Sequence, residues 1–256
     1  MLSLHEVESR LDLWGGVFKL WERDSHNVEI MWNLNLAGIN LEFSMRTMVM
    51  TWIVMILVVV FCVAATRKLD MRRPGGLQNV MEIIFEMIRG QINQAMDPQK
   101  GSSIISIIMT FLIFILFSNL LGLIPTLMSP TANPNTAFAL SLTTFALIWF
   151  YGIKYKGIRY FSHWFKPNIV FLPINLIEEF VKPVTLAARL FGNIYAGEVL
   201  ICTWLGMFTG WYYLTGGFIA EMIWLAFSVF VSVIQAYIFS VLSINYIGSA
   251  MTTEDH

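Results

Sequence analysis

Charge is scarce in this 256-residue chain: Asp, Glu, Lys and Arg make up 13 % of it, about half the share of an ordinary soluble domain. The net charge of −1 lacks the basic excess that a nucleic-acid partner requires. There are two cysteines, Cys62 and Cys202. Both lie inside apolar runs and read as small hydrophobes rather than as a disulfide framework. No internal repeat, nucleophile–base pair or metal-ligand cluster is visible. His163, in Ser162-His-Trp, reads as a residue of a basic loop, not a catalytic base. The first 30 residues carry Glu6, Glu8, Asp12, Glu22 and Asp24, which does not fit a cleavable signal peptide. What the chain has instead is apolar residues: 57 % of the sequence, with mean hydropathy +0.66. That points to a membrane protein.

A spanning helix needs about 20 mostly apolar residues. Three runs fit: residues 48–66 between Arg46 and Arg67, residues 104–124 before Pro125, and residues 136–153. Two longer runs follow, 169–208 and 218–250. Lys and Arg mark cytoplasmic loops. Arg67, Lys68, Arg72 and Arg73 follow the first run, and Lys154, Lys156, Arg159 and Lys166 follow the third. The loop over residues 125–135 has no charge. Five crossings then put the N-terminus outside and the C-terminus in the cytoplasm of a cell whose plasma membrane holds the chain. Residues 1–45 form an extracytoplasmic segment and residues 46–256 the membrane domain. Over residues 76–96, Leu77, Val80, Met81, Ile84, Phe85 and Ile88 recur at helical spacing, with Glu82, Glu86 and Arg89 on other faces. That segment is too polar to span and reads as an amphipathic helix on the cytoplasmic interface.

The last two runs are longer than a bilayer needs. At 1.5 Å per residue, residues 169–208 reach about 60 Å and residues 218–250 about 50 Å, against a hydrocarbon core about 30 Å thick. Tilt absorbs such mismatch. The fold expected is therefore an all-α membrane protein: five membrane-embedded helices, one interfacial helix, and a strongly tilted helical hairpin over residues 169–250.

An ionisable side chain inside such a helix is costly and marks function. Arg189 lies among Leu186, Ala187, Ala188, Leu190 and Phe191. A guanidinium stays charged in proteins, so it needs an anion or water. Glu198 is nine residues away, half a turn out of phase. With a hairpin midpoint near Tyr212, Gln235 falls level with Arg189, and Asn193 lies one turn from it. Glu221 and Glu198 lie toward the turn, Glu178 and Glu179 toward the other end, with Lys182 one turn from Glu178. The small residues Ala187, Ala188, Gly192, Ala196 and Gly197 permit close helix approach, within the chain or by another. Carboxylates and amides in a wet crevice relay protons, and a fixed positive charge midway blocks direct passage. A mobile carboxyl group, ionised beside the arginine and neutral in lipid, would carry the proton around it. The chain offers no such mobile group, so a partner supplies it.

The run Lys182-Pro-Val-Thr-Leu-Ala-Ala-Arg189-Leu-Phe-Gly-Asn193-Ile-Tyr-Ala-Gly-Glu198 closely resembles the signature of the a subunit of F-type ATP synthases. So do the segment from Gln235 to Ile247, the Glu254-Asp-His end, the loop Ser129-Pro-Thr-Ala-Asn-Pro-Asn135-Thr, and Ala65-Thr-Arg67 through Arg72-Arg-Pro74-Gly-Gly-Leu77-Gln-Asn79 with Glu82. The likeness runs from about Asn40 to His256. It implies a non-catalytic stator subunit without cofactors, lying beside a rotating ring of c subunits and held by a b-subunit peripheral stalk. Arg189 would face the ring's carboxylates. Asn193, Glu198 and Gln235 would belong to the outer half-channel, and Glu178 and Glu179 to the cytoplasmic one. Some relatives pair the Glu198 position with a histidine on the last helix. Ser228 occupies that place here, and Glu221 is the candidate substitute. Residues 1–38 match the family least. The alternatives are a self-contained secondary ion transporter, which would need its own substrate site and often inverted repeats, and a membrane-embedded hydrolase.

Overall fold

A computed structural model of the chain describes residues 31–36, 39–67, 75–124, 127, 129–157, 160, 169–207 and 218–252. The hairpin turn, Arg72 and Arg73, His163, Lys166 and the Glu254-Asp-His end lie outside the described residues. Six α-helices carry the fold among the described residues: α1 (Met45–Thr66), α2 (Gly76–Ala95), α3 (Pro98–Leu121), α4 (Pro134–Lys156), α5 (Leu172–Met207) and α6 (Phe218–Met251). One departure from an all-α fold precedes them. Strands β1 (Met31–Leu36) and β2 (Ile39–Ser44) pair antiparallel, from Met31 opposite Ser44 to Leu36 opposite Ile39. The short alternation of Asn33, Leu34, Asn35 with Asn40, Leu41, Glu42 suits a ribbon, and β2 runs directly into α1.

Helix α3 begins six residues before its apolar run. Asp97 caps it, accepting from the Gln99 amide at 3.3 Å, with Pro98 in the first turn. Helix α4 repeats the device: Asn133 accepts from the Asn135 amide at 2.9 Å, followed by Pro134. Its C-terminal stop is Gly157 at φ 62°, a backbone state that glycine reaches at little cost, after Lys154 and Lys156 in the last turn.

Four described helices are long and apolar enough to cross a membrane: α1, α3, α4 and α6. Helix α5 carries Glu178, Glu179, Lys182, Arg189 and Glu198 along its length. Between helices in lipid, close packing rather than water exclusion supplies cohesion. Ile104, Ile108 and Ile115 of α3 meet Phe239, Ile244 and Ile247 of α6 in the buried core. Helix α2 sends Ile88 and Ile92 into the same core while Leu77, Val80, Ile83 and Phe85 stay exposed. Its apolar stripe therefore divides between the bundle and the outside. Gly248 lets α6 pass the end of α2: a Cβ there would come 2.8 Å from the Ala95 carbonyl oxygen. Helix α5 packs chiefly on α4 and α6 chiefly on α3, and the direct α5–α6 contact is smaller than either.

The uncharged loop between α3 and α4 is a buried hydrogen-bond knot. Ser129 Oγ donates to the Ser118 carbonyl at 2.9 Å, and Thr131 Oγ1 donates to Asn119 Oδ1 at 3.0 Å. Asn133 Nδ2 reaches Thr47 Oγ1 of α1 at 3.2 Å. This joins three helices at one end without any charge.

Candidate functional site

Helix α5 carries a straight polar line. Glu178, Lys182, Arg189 and Asn193 are spaced by four, seven and four residues, which keeps them on one face of an α-helix. Glu179, Pro183, Leu186, Ala187 and Leu190 form the packed face beside it. Arg189 is half-buried at the border between the two.

Two contacts fix how α5 and α6 run. Asn193 Nδ2 donates to Gln235 Oε1 at 2.6 Å. The Lys182 ammonium lies over the Tyr246 ring, 5.9 Å from its centroid. The 11 residues from Lys182 to Asn193 thus match the 11 from Gln235 to Tyr246 in reverse order, which is an antiparallel pair. The expected level of Gln235 needs correcting. It meets Asn193, one turn beyond Arg189. The register is centred at residue 214 rather than at Tyr212, and moving the centre of a hairpin by two residues moves each partner by four.

That register sets Phe239 level with Arg189. Phe239 is buried and meets Phe111 of α3 edge-on, with centroids 6.0 Å apart and planes at 89°. Among the described residues no carboxylate pairs with Arg189; the ion pair found there is Lys182 with Glu179. The neighbouring small residues are uncovered. Ala188 and Ala196 are exposed, and a Cβ on Gly192 would meet nothing within 4 Å. Of the two uses open to the small residues, packing inside the chain holds for Ala187, which is 1 % exposed, and for Gly197, beside Trp224.

Gln235 is 3 % exposed, and its Nε2 has no hydrogen-bond partner among the described residues. An unmade buried donor costs on the order of 1–3 kcal/mol. Glu221 stands half-buried in the first turn of α6, where the positive helix end favours a carboxylate. Glu198 lies within α5; its side chain is outside the described residues. Trp224 of α6 packs beside Gly197, its ring 4.0 Å from where a Cβ would stand.

The adjacent acids Glu178 and Glu179 have different fates. Glu179 is 7 % exposed. Its Oε1 accepts from the Tyr160 hydroxyl at 2.9 Å, and its Oε2 from Lys182 Nζ at 2.8 Å. Lys182 thus pairs three residues back, not with Glu178. Burial, then the charge of Glu179 and the hydrogen bond to it, push the Tyr160 phenol well above its ordinary value. Glu178 is exposed. Tyr160 and Tyr246 are not singled out by sequence reasoning. The one signal for Tyr160 is Gly152, where a Cβ would come 2.6 Å from the Tyr160 ring, but nothing in the sequence links those two positions.

Apolar spans with a charged seam running through one of the bundle's helices define a multi-pass membrane protein that takes part in ion transport. The family model described as ATP synthase A chain matches residues 48–248. The ATP synthase subunit a of Desulforamulus reducens is 45 % identical over 255 residues, covering 99 % of this chain and 94 % of that one. The subunit of the same name from Oceanobacillus iheyensis is 38 % identical over 232 residues, 86 % of this chain and 94 % of the other. That of Staphylococcus carnosus is 36 % identical over 236 residues, 87 % and 96 %. The chain belongs to the ATP synthase subunit a family.

Proposed function

We propose that this chain is the proton-translocating stator subunit of a rotary ATP synthase, with Arg189 standing between two offset aqueous half-channels and facing the carboxylates of a rotating c-ring. The observation that carries the reading is the state of Arg189: a half-buried guanidinium, level with Phe239, with no carboxylate partner among the described residues and open space beside Gly192. A partner helix carrying a carboxyl group fits that space.

The mechanism follows from charge. A carboxyl group in lipid is held neutral by desolvation. Within about 4–6 Å of a guanidinium its pKa falls by about 1–3 units. A ring carboxyl approaching Arg189 gives up its proton to one half-channel, and after passing it takes a proton from the other. The fixed charge keeps protons from running straight through. Asn193 and Gln235, with Glu198 and Glu221 farther toward the hairpin turn, line the outer half-channel. The acidic pair Glu178 and Glu179 marks the cytoplasmic one. Helix α5 counts as the fifth membrane-embedded helix, tilted with α6, and α2 lies on the cytoplasmic interface. The N-terminus lies outside and the C-terminus in the cytoplasm, in the plasma membrane. A b-subunit stalk holds the chain against the ring. Catalysis takes place elsewhere in the complex.

The test is Arg189→Ala in the assembled complex reconstituted in liposomes. ATP-driven proton pumping disappears, while ATP hydrolysis by the detached catalytic head is unchanged. Full pumping by that variant overturns the reading.

A further inference from the structure

Two glutamates stand side by side on α5, and the structure gives them different surroundings. Ten residues separate Glu179 from Arg189, which puts them about 80° apart around the helix; eleven separate Glu178 from Arg189, about 20° apart. Glu178 is exposed on the arginine line, and Glu179 is buried on the packed face. Each Glu179 oxygen already has a donor: the Tyr160 hydroxyl at 2.9 Å and Lys182 Nζ at 2.8 Å. Taking up a proton would remove the negative charge that strengthens both bonds and pairs with the Lys182 ammonium. Tyr160 is itself buried, its ring lodged where Gly152 of α4 has no side chain. Lys182 extends the cluster to Tyr246 of α6.

We infer that Tyr160, Glu179 and Lys182 form a fixed anchor that sets α5 against α4 and α6, and that Glu178 alone of the acidic pair exchanges protons on the cytoplasmic side. This rests on the half-channel reading above and divides its acidic pair. In the relay, the O–H bond of a ring carboxylic acid breaks and a new O–H forms on a Glu178 oxygen, directly or through water. Glu178 then passes the proton to cytoplasmic water and returns to carboxylate. Tyr160 is a positioning residue: it accepts and releases no proton in this cycle, and it holds Glu179 away from the path.

The experiment is ATP-driven proton pumping by the whole complex in liposomes, measured against pH on the catalytic-head side, with head hydrolysis followed in parallel. Glu178→Gln lowers pumping on the order of a hundredfold or more, the scale of a lost acid–base group, and flattens the head-side pH profile. Tyr160→Phe and Glu179→Gln leave the shape of that profile as it is, and they reduce the amount and heat resistance of assembled complex. Failure of Glu179→Gln to assemble agrees with an anchor. The inference is overturned if Glu178→Gln keeps the wild-type profile, or if Glu179→Gln assembles and flattens it. Arg189→Ala, run alongside, separates this from failure of the half-channel reading: pumping by that variant sinks the larger reading whatever the glutamates do.

Discussion

Glu179 and Arg189 are both charged, both on α5 and ten residues apart, yet the chain treats them in opposite ways. Glu179 is wrapped by a phenol from the segment after α4 and an ammonium from its own helix. Arg189 has no carboxylate partner among the described residues, and a Cβ on Gly192, beside it, would meet nothing within 4 Å among them. A charge satisfied at home is a structural element. Under the function proposed above, a charge left unsatisfied beside uncovered glycine and alanine is a contact prepared for another chain, because a guanidinium cannot shed its charge to escape burial.

The contrast is open to attack by substitution. The largest effect belongs to Arg189→Ala, which removes pumping altogether while leaving head hydrolysis intact. Gly192→Val comes next. A Cβ there meets nothing within 4 Å among the described residues, so the subunit still inserts and assembles, but the added isopropyl group fills the space that the proposal keeps for the partner. Coupled pumping falls on the order of a hundredfold, the cost of a roughly 1 Å misplacement of reacting groups. A Gly192→Val complex that pumps normally would show that no partner helix approaches at that point. Phe239→Ala opens a cavity against Phe111 in the buried core. About 3–5 kcal/mol of stability is lost on the scale of buried phenylalanines, read as a lower unfolding temperature of the complex. Gln235→Ala slows pumping several-fold without abolishing it, since it removes an amide and not the central charge. Smallest is Gly248→Ala, which presses on the Ala95 carbonyl at the end of α2. It costs about 1–3 kcal/mol through overpacking, seen as reduced heat resistance with the pumping rate per complex unchanged.

Much of this contrast is legible in the amino-acid sequence. Hydropathy locates α1, α3, α4 and both arms of the hairpin, because lipid leaves helices few alternatives. The phase of Arg189 against Glu198 by itself weakens an internal pair. Apolar residues alone miss the start of α3, although Asp97-Pro98 is a cap signal in plain view. Strands β1 and β2 lie in a segment too polar for hydropathy to describe. The one-turn difference in register arises from assigning a midpoint to a loop, which apolar periodicity cannot place to a residue. The split between Glu178 and Glu179 is hidden for a different reason. It depends on Tyr160, 19 residues upstream of Glu179, and such a partnership is made by packing against Gly152, not by spacing.

The most direct measurement is disulfide trapping in the assembled complex. Cys62 and Cys202 are first replaced by alanine, and Arg189→Cys is introduced. A second cysteine is placed either beside the ring carboxyl group or, within this chain, by Phe239→Cys. Disulfides form between Cα atoms about 4.4–6.8 Å apart. A bond between the Arg189→Cys site and the ring is predicted to form under oxidation and to be released by reduction. Bonding only to the Phe239→Cys site, with no adduct to the ring, would contradict a charge whose partner lies on another chain.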